Sequence, residues 1–112
     1  MHGEEAIARD TGATCLVLLL RFFGMPGDAA QLRHEFAETG ATLDADTLVR
    51  AARRLGLRAR TVKSGWDRFE KIQLPAIAER SDGGFFILAA VEAGKALIQD
   101  PAVGRPETLT RA

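Results

Sequence analysis

Residues 10–24 read DTGATCLVLLLRFFG, and this apolar run decides how the rest of the chain can fold. It shows no alternation of apolar and polar side chains, and it is too long for an ordinary strand. Gly24 and Pro26 come directly after it, which is a usual way to end a helix. The run is only about half as long as the roughly 20 residues that a membrane span needs. It therefore predicts a buried helix from about Gly12 to Phe23.

Two further helices are predicted downstream of this run. Asp28 can cap a helix that continues to about Phe36, and Asp44 can cap a third helix that ends at Gly56. The third helix is amphipathic, with apolar residues on one face and Arg50, Arg53 and Arg54 on the other. Both helices therefore have an apolar side that can pack on the first one.

The period of the sequence changes after Gly56 from helical to strand-like. Strands are predicted near residues 57–63, 75–80, 85–92 and 96–100, with a short final strand after Pro106, and the turns SDGG and AGK favour hairpins between neighbours. Helices followed by hairpin-connected strands predict an α+β fold, in which N-terminal helices pack on a C-terminal antiparallel sheet.

Length and composition predict a single domain over residues 1–112 and exclude several classes of function. Lys plus Arg equal Asp plus Glu at 15 each, so no overall basic field favours a nucleic acid. One cysteine, Cys15, and two scattered histidines predict neither a disulfide nor a metal site. The first ten residues do not resemble a signal peptide, which predicts a cytosolic location. No cofactor is expected.

Three segments together resemble the N-terminal peptidase domain of ATP-driven bacteriocin exporters, a papain-like cysteine peptidase that trims double-glycine leader peptides. The first is DTGATCLVLLLRFFG, where the family has Asp-Cys-Gly, an apolar helix, an aromatic pair and glycine. The second is DGGFFIL, where the family has Gly-x-His-Phe and aliphatic residues. The third is IQDPAVG, which matches an aliphatic residue followed by x-Asp-Pro-x-x-Gly. The resemblance implies a papain-like fold over nearly the whole chain.

The same resemblance implies that the catalytic residues have changed. Thr11 stands at the nucleophile's position, Phe85 at that of the histidine and Asp100 at that of the aspartate, while Glu5 stands where peptidases place an oxyanion-binding glutamine. A threonine hydroxyl without a base is a poor nucleophile, and an anion at residue 5 would repel an oxyanion. The chain is therefore expected to be a degenerate peptidase and not an enzyme.

Cys15 and His34 are weaker alternatives for a displaced nucleophile and base. Cys15 lies within the apolar helix, where a free cysteine commonly acts as a small buried hydrophobe. His34 lies between Arg33 and Glu35 on an amphipathic helix, where exposure to solvent explains it equally well.

The arrangement also resembles the peptidase-like domains of type I secretion exporters that move haemolysin-type repeat toxins. That resemblance implies a module at the cytoplasmic face of the bacterial inner membrane, with the exporter's transmembrane and ATPase domains and an unfolded secreted protein as partners. Active leader peptidase and structural or regulatory appendage remain the alternatives. The binding candidates are Phe85, Phe86, Trp66, Arg53 and Arg54. Asp100 before Pro101 also has an ordinary reading as a turn former.

Overall fold

A computed structural model of the chain describes residues 10–37, 42–61, 74–80, 83–101, 103 and 105–110. Three helices come first and four strands follow: α1 (Thr11–Phe22), α2 (Ala29–Phe36), α3 (Ala45–Arg54), β1 (Ala76–Glu79), β2 (Phe85–Glu92), β3 (Lys95–Gln99) and β4 (Pro106–Thr110). This order confirms the predicted α+β class, including the short final strand after Pro106.

Each helix is preceded by an aspartate whose side chain accepts a hydrogen bond from a backbone N–H in the first turn. Asp10 caps α1, Asp28 caps α2 and Asp44 caps α3, at donor–acceptor distances of 3.1, 3.1 and 2.8 Å. An N-cap carboxylate satisfies one of the N–H groups that a helix end leaves without a partner. The caps expected at Asp28 and Asp44 are confirmed. Helix α1 begins one residue earlier than predicted because Asp10 caps it.

The four strands form one antiparallel sheet in the order β1-β2-β3-β4, so each strand pairs with its neighbour in sequence. Ile87 of β2 lies between its Cα partners Ile77 on β1 and Gln99 on β3. Gly83, just before β2, has φ of +90°, a backbone conformation that residues other than glycine adopt only with strain. The antiparallel pairing of β1 with β2 and of β2 with β3 confirms the two predicted hairpins. It also places β2 between two other strands of the sheet.

The main core lies between α1 and the sheet. It includes Leu16 and Leu20 of α1, Ala51 of α3, and Phe85 and Ile87 of β2. Successive strand residues face opposite sides of a sheet, so β2 also supplies a second, smaller apolar cluster, which contains Leu88, Ala96 and Ile98. The burial of the first helix against an antiparallel sheet agrees with the prediction.

The C-terminal end of α1 differs from the rest of the helix because the aromatic side chains of its last residue and of the residue after it are exposed. Phe22 and Phe23 are 67% and 52% exposed, and their ring centroids lie 5.2 Å apart in an edge-to-face arrangement. No helix within the described part of the chain combines the length and apolar character needed to cross a membrane.

The strand predicted at residues 57–63 is wrong over residues 57–61, which form no strand; residues 62 and 63 lie outside the described residues. The alternation that suggested it is real, because Leu57 and Ala59 pack partly buried against the main core while Arg58 and Arg60 are exposed. However, the backbone is tied to α3: the Leu57 N–H donates to the Ala52 carbonyl at 2.9 Å. Residues 57–60 therefore alternate between partly buried and exposed positions along the edge of the core, as a strand would, although they pair with no strand of the described sheet.

Candidate functional site

A surface cleft of about 320 Å³ lies where the N-terminus of α1 meets the start of β2. Two loops complete it: one precedes α3, and the other is the glycine turn before β2. The residues that line the cleft are Asp10, Thr11, Gly12, Thr42, Leu43, Gly83, Gly84 and Phe85. Two of the residues that the family resemblance places in the catalytic triad, Thr11 and Phe85, therefore line one cleft.

Thr11, at the nucleophile's position, is held by a backbone group rather than by a base. Its Oγ accepts a hydrogen bond from the backbone N–H of Phe85 at 2.8 Å. A serine or threonine nucleophile needs a neighbouring base that removes its proton, and a backbone N–H can only donate. This contact joins α1 to β2 but does not activate the hydroxyl.

Phe85, at the histidine's position, fills the space beside Thr11. The residue is 4% exposed. A Cβ placed on Gly12 would lie 3.1 Å from the Cδ2 atom of Phe85, 3.0 Å from the carbonyl oxygen of Leu43 and 3.2 Å from Cδ1 of Leu48. Glycine at residue 12 lets the ring, the loop before α3 and the Leu48 side chain all approach α1 this closely. Buried in this way, Phe85 offers little surface to a peptide in the cleft.

Asp10 is a site residue that the sequence reasoning missed. Its side chain is fully buried, and it accepts hydrogen bonds from the backbone N–H groups of Ala13 and Leu43, each at 3.1 Å. It also forms an ion pair with the guanidinium of Arg33 on α2. One carboxylate thus joins α1, α2 and the loop before α3. The position of an aspartate just before a helix could have revealed the cap, but not its two distant partners.

Asp100, at the position of the triad aspartate, follows β3 and is buried. It forms an ion pair with Arg80, which follows β1. The guanidinium carbon of Arg80 also lies 5.0 Å from the centroid of the Phe86 ring, a cation–π geometry. Asp100 thus lies just after the strand next to that of Phe85, where its carboxylate binds an arginine.

Cys15 is fully buried within α1, in agreement with its interpretation as a small hydrophobe. Burial, and to a smaller extent the negative charge of Asp100, raise the pKa of its thiol from 9.0 to about 12. Because the thiolate is the reactive form of cysteine, this environment makes Cys15 inert at neutral pH. His34 is exposed on α2.

None of the remaining candidates that the structure describes lines the cleft. Phe86 is half-buried beneath Arg80, and Arg53 and Arg54 are exposed at the end of α3. Arg53 also donates from Nε to the carbonyl of Ala59 at 2.9 Å. Trp66 and Glu5 lie outside the described residues. Among the residues that the structure describes, no three His, Cys, Asp or Glu side chains are grouped as a metal site requires.

Comparison with known families and sequences adds independent information. The profile of the family described as "Peptidase C39 family" matches residues 4–111. The chain is 44% identical over 95 residues to the "Cyclolysin secretion/processing ATP-binding protein CyaB" of Bordetella pertussis, covering 82% of this chain and 13% of that protein. It is 36% identical over 105 residues to the "Toxin RTX-I translocation ATP-binding protein" of Actinobacillus pleuropneumoniae. This alignment covers 92% of this chain and 15% of that protein. The chain therefore spans about one seventh of the length of these curated relatives.

The fold also matches a solved structure. The crystal structure of the N-terminal peptidase C39 like domain of the toxin secretion ATP-binding protein from Vibrio parahaemolyticus superimposes with a TM-score of 0.77. The two sequences are 22% identical, and the alignment covers 90% of this chain and 83% of the other. The likeness establishes a shared fold: three helices packed on a four-stranded antiparallel sheet.

Proposed function

The chain belongs to the peptidase C39 family, and from its altered cleft we propose that it binds unfolded secreted protein without cleaving it, as a cytoplasmic domain of a type I secretion exporter. The observation that carries the loss of cleavage is the contact between Thr11 and Phe85. The residue at the nucleophile's position receives a hydrogen bond from a backbone N–H, and the residue beside it is a buried phenylalanine. Neither the backbone N–H nor the phenylalanine side chain can take up the proton of the Thr11 hydroxyl.

The names of the relatives support the exporter setting. Both are ATP-binding proteins of toxin secretion or translocation, and this chain matches only 13–15% of their length. We propose that the chain is the peptidase-like domain of such an exporter at the inner membrane, with transmembrane and ATPase domains as its partners and the toxin as its cargo. ATP hydrolysis would belong to those other domains, and this one would need no cofactor.

Retention of a cleft after loss of the catalyst supports substrate binding. The cleft of about 320 Å³ lies at the start of β2, and Gly83 and Gly84 are among the residues that line it. Extended peptides bind folded domains through backbone hydrogen bonds and therefore do not require one particular sequence. An unfolded segment must become ordered when it binds, so the affinity should be micromolar or weaker.

The exposed arginines supply a second element of recognition. Arg50, Arg53 and Arg54 on α3 and Arg58 and Arg60 after it are all exposed, and we call them the arginine cluster. An acidic unfolded segment would be attracted to this cluster, and salt would weaken the attraction because exposed charges are screened within about 8 Å at physiological ionic strength.

Binding is tested by an amide chemical-shift titration of the chain with an acidic, calcium-binding repeat segment of a secreted toxin, with and without calcium. We expect shifts at the cleft only without calcium, since a folded repeat cannot supply an extended segment. Arg53→Glu/Arg54→Glu should weaken binding and flatten its salt dependence. Arg21→Glu/Lys95→Glu changes the charge equally at two other exposed positions and should have the smaller effect.

Equal affinity for folded and unfolded repeats would contradict the proposal. Absence of any binding would leave the chain as a structural or regulatory part of its exporter.

Cleavage is tested separately with a double-glycine leader peptide. We expect no product, whatever the concentration of protein, because the Thr11 hydroxyl is bonded to a backbone N–H and Phe85, at the histidine's position, cannot act as a base. The wild type and Cys15→Ala should behave identically, since the Cys15 thiol is buried and protonated at neutral pH. Cleavage that Cys15→Ala abolishes would make the chain an active leader peptidase with a displaced nucleophile.

A further inference from the structure

Arg80 is anchored by its backbone in the turn that borders the cleft. Its N–H donates to the carbonyl of Gly84 at 2.7 Å, and its own carbonyl accepts from the N–H of Gly83 at 3.0 Å. Gly83 and Gly84 both line the cleft. The side chain of Arg80 therefore starts from a well-defined point next to the position of the lost histidine.

The guanidinium of Arg80 is held by groups from the two strands that follow. It forms an ion pair with Asp100, after β3, and lies over the ring of Phe86, on β2. The side chain of Asp100 is 7% exposed and that of Arg80 is 38% exposed. The arginine thus covers the carboxylate and keeps one side in contact with water.

A buried carboxylate needs hydrogen-bond donors, because an isolated buried charge costs several kcal/mol. In a catalytic triad the histidine supplies such a donor to the aspartate. The side chain of Phe85 has no donor, and the backbone N–H of Phe85 is bonded to Thr11. A guanidinium carries five N–H donors and stays protonated at any pH that proteins tolerate.

We infer that Arg80 has taken over the histidine's role as a charged partner of Asp100 and that this contact prevents a simple return to a catalytic triad. The inference rests on the proposed loss of catalysis. An imidazole placed at residue 85 would have to compete with a permanently charged guanidinium for Asp100. It would also lie near a cation, which disfavours the imidazolium that a triad forms. Rebuilding the pair of imidazole and carboxylate thus requires a change at Arg80 as well.

The test compares Phe85→His with Phe85→His/Arg80→Gln by following the imidazole Cε1 proton in NMR spectra from pH 5 to pH 9. The new signal is identified by its absence from wild-type spectra. We expect the pKa of the introduced imidazole to be higher by about one unit or more when Arg80 is replaced, because Asp100 can then pair with it. Adding Asp100→Asn as a third change should remove most of this increase. Equal pKa values in the first two variants, or an increase that persists with Asp100→Asn, would overturn the inference.

A second measurement needs no change at the buried position of Phe85. A double-mutant cycle of Arg80→Gln and Asp100→Asn, measured by urea unfolding, should give a coupling of about tenfold in the folding equilibrium constant. Additive effects would overturn the inference. Neither measurement involves a substrate, so either can fail while the proposed binding function stands, and cleavage by the wild type would overturn the proposed function while leaving the contact intact.

Discussion

Asp10, which lines the cleft, and Asp100, which follows β3, are both buried carboxylates that form an ion pair with an arginine, but the two arginines differ in exposure. Asp10 is fully buried, and the side chain of its arginine, Arg33, is only 13% exposed. The partner of Asp100, Arg80, is 38% exposed. Asp10 therefore joins three elements in the interior, whereas Asp100 is held by an arginine that water can reach.

This difference indicates which elements each carboxylate supports. The Asp10 carboxylate joins the start of α1 to α2 and to the loop before α3. Asp100, at the position that the family resemblance gives to the triad aspartate, joins the end of β3 to the residue after β1 through Arg80. The Asp10 side therefore supports the helices, and the Asp100 side supports the sheet.

The largest expected effect is that of removing the Asp10 charge. Asp10→Asn should lower the free energy of unfolding by about 3–5 kcal/mol, because it leaves the guanidinium of Arg33 buried without its counter-ion. Asp100→Asn should cost only about 1–2 kcal/mol, since Arg80 can be solvated. Urea unfolding measures both values.

Asp28→Asn is the matched control, because asparagine caps a helix about as well as aspartate and Asp28 is exposed. It should change the free energy of unfolding by less than about 0.5 kcal/mol. Equal losses for Asp10→Asn and Asp100→Asn would mean that the two carboxylates do not differ in structural importance.

A smaller effect is expected from adding one methyl group on either side of the cleft. Gly12→Ala should cost about 1–3 kcal/mol, because its Cβ would meet the carbonyl of Leu43, whose N–H is bonded to Asp10. Gly83→Ala meets nothing within 4 Å and should cost only about 1 kcal/mol, from its positive φ. Thermal unfolding of both variants shows which side of the cleft tolerates the added methyl group better. A larger loss of stability from Gly83→Ala than from Gly12→Ala would contradict the expectation that the Asp10 side is the more tightly packed.

The smallest expected effect, counted per pH unit, comes from ionisation of the Cys15 thiol, whose pKa the charge of Asp100 helps to raise. The folded pKa of Cys15 lies near 12, above the value of 9.0 for an unperturbed thiol. Below pH 9 the thiol is protonated in both states, so this contribution to stability is fully present there. Above pH 9 only the unfolded thiol ionises, so the free energy of unfolding should fall by about 1.4 kcal/mol per pH unit until about pH 12.

Urea unfolding at pH 8 and pH 10 tests this slope. The chain contains no tyrosine and three lysines, so few other groups ionise in this range. Cys15→Ala should remove most of the slope. Asp100→Asn should make the loss end at a lower pH, because it removes the charge that helps to raise the thiol pKa. A slope that Cys15→Ala leaves unchanged would show that the thiol titrates normally.

Local patterns were sufficient to predict the order of elements. The caps at Asp28 and Asp44 and the strand at residues 85–92 were predicted, because capping and side-chain periodicity act over a few neighbouring residues. The same patterns misassigned residues 57–61. There the alternation reflects packing of Leu57 and Ala59 against the core, and periodicity cannot tell such packing from a strand.

The sequence by itself determined the α+β class and the buried first helix, and it singled out Thr11 and Phe85 as candidate site residues. Only the tertiary structure decided which groups those residues meet. The contacts of Asp10 with Leu43, of Asp100 with Arg80 and of Thr11 with Phe85 join residues 33, 20 and 74 positions apart. Such partners are chosen by how helices and strands pack, and no local pattern in the chain records that choice.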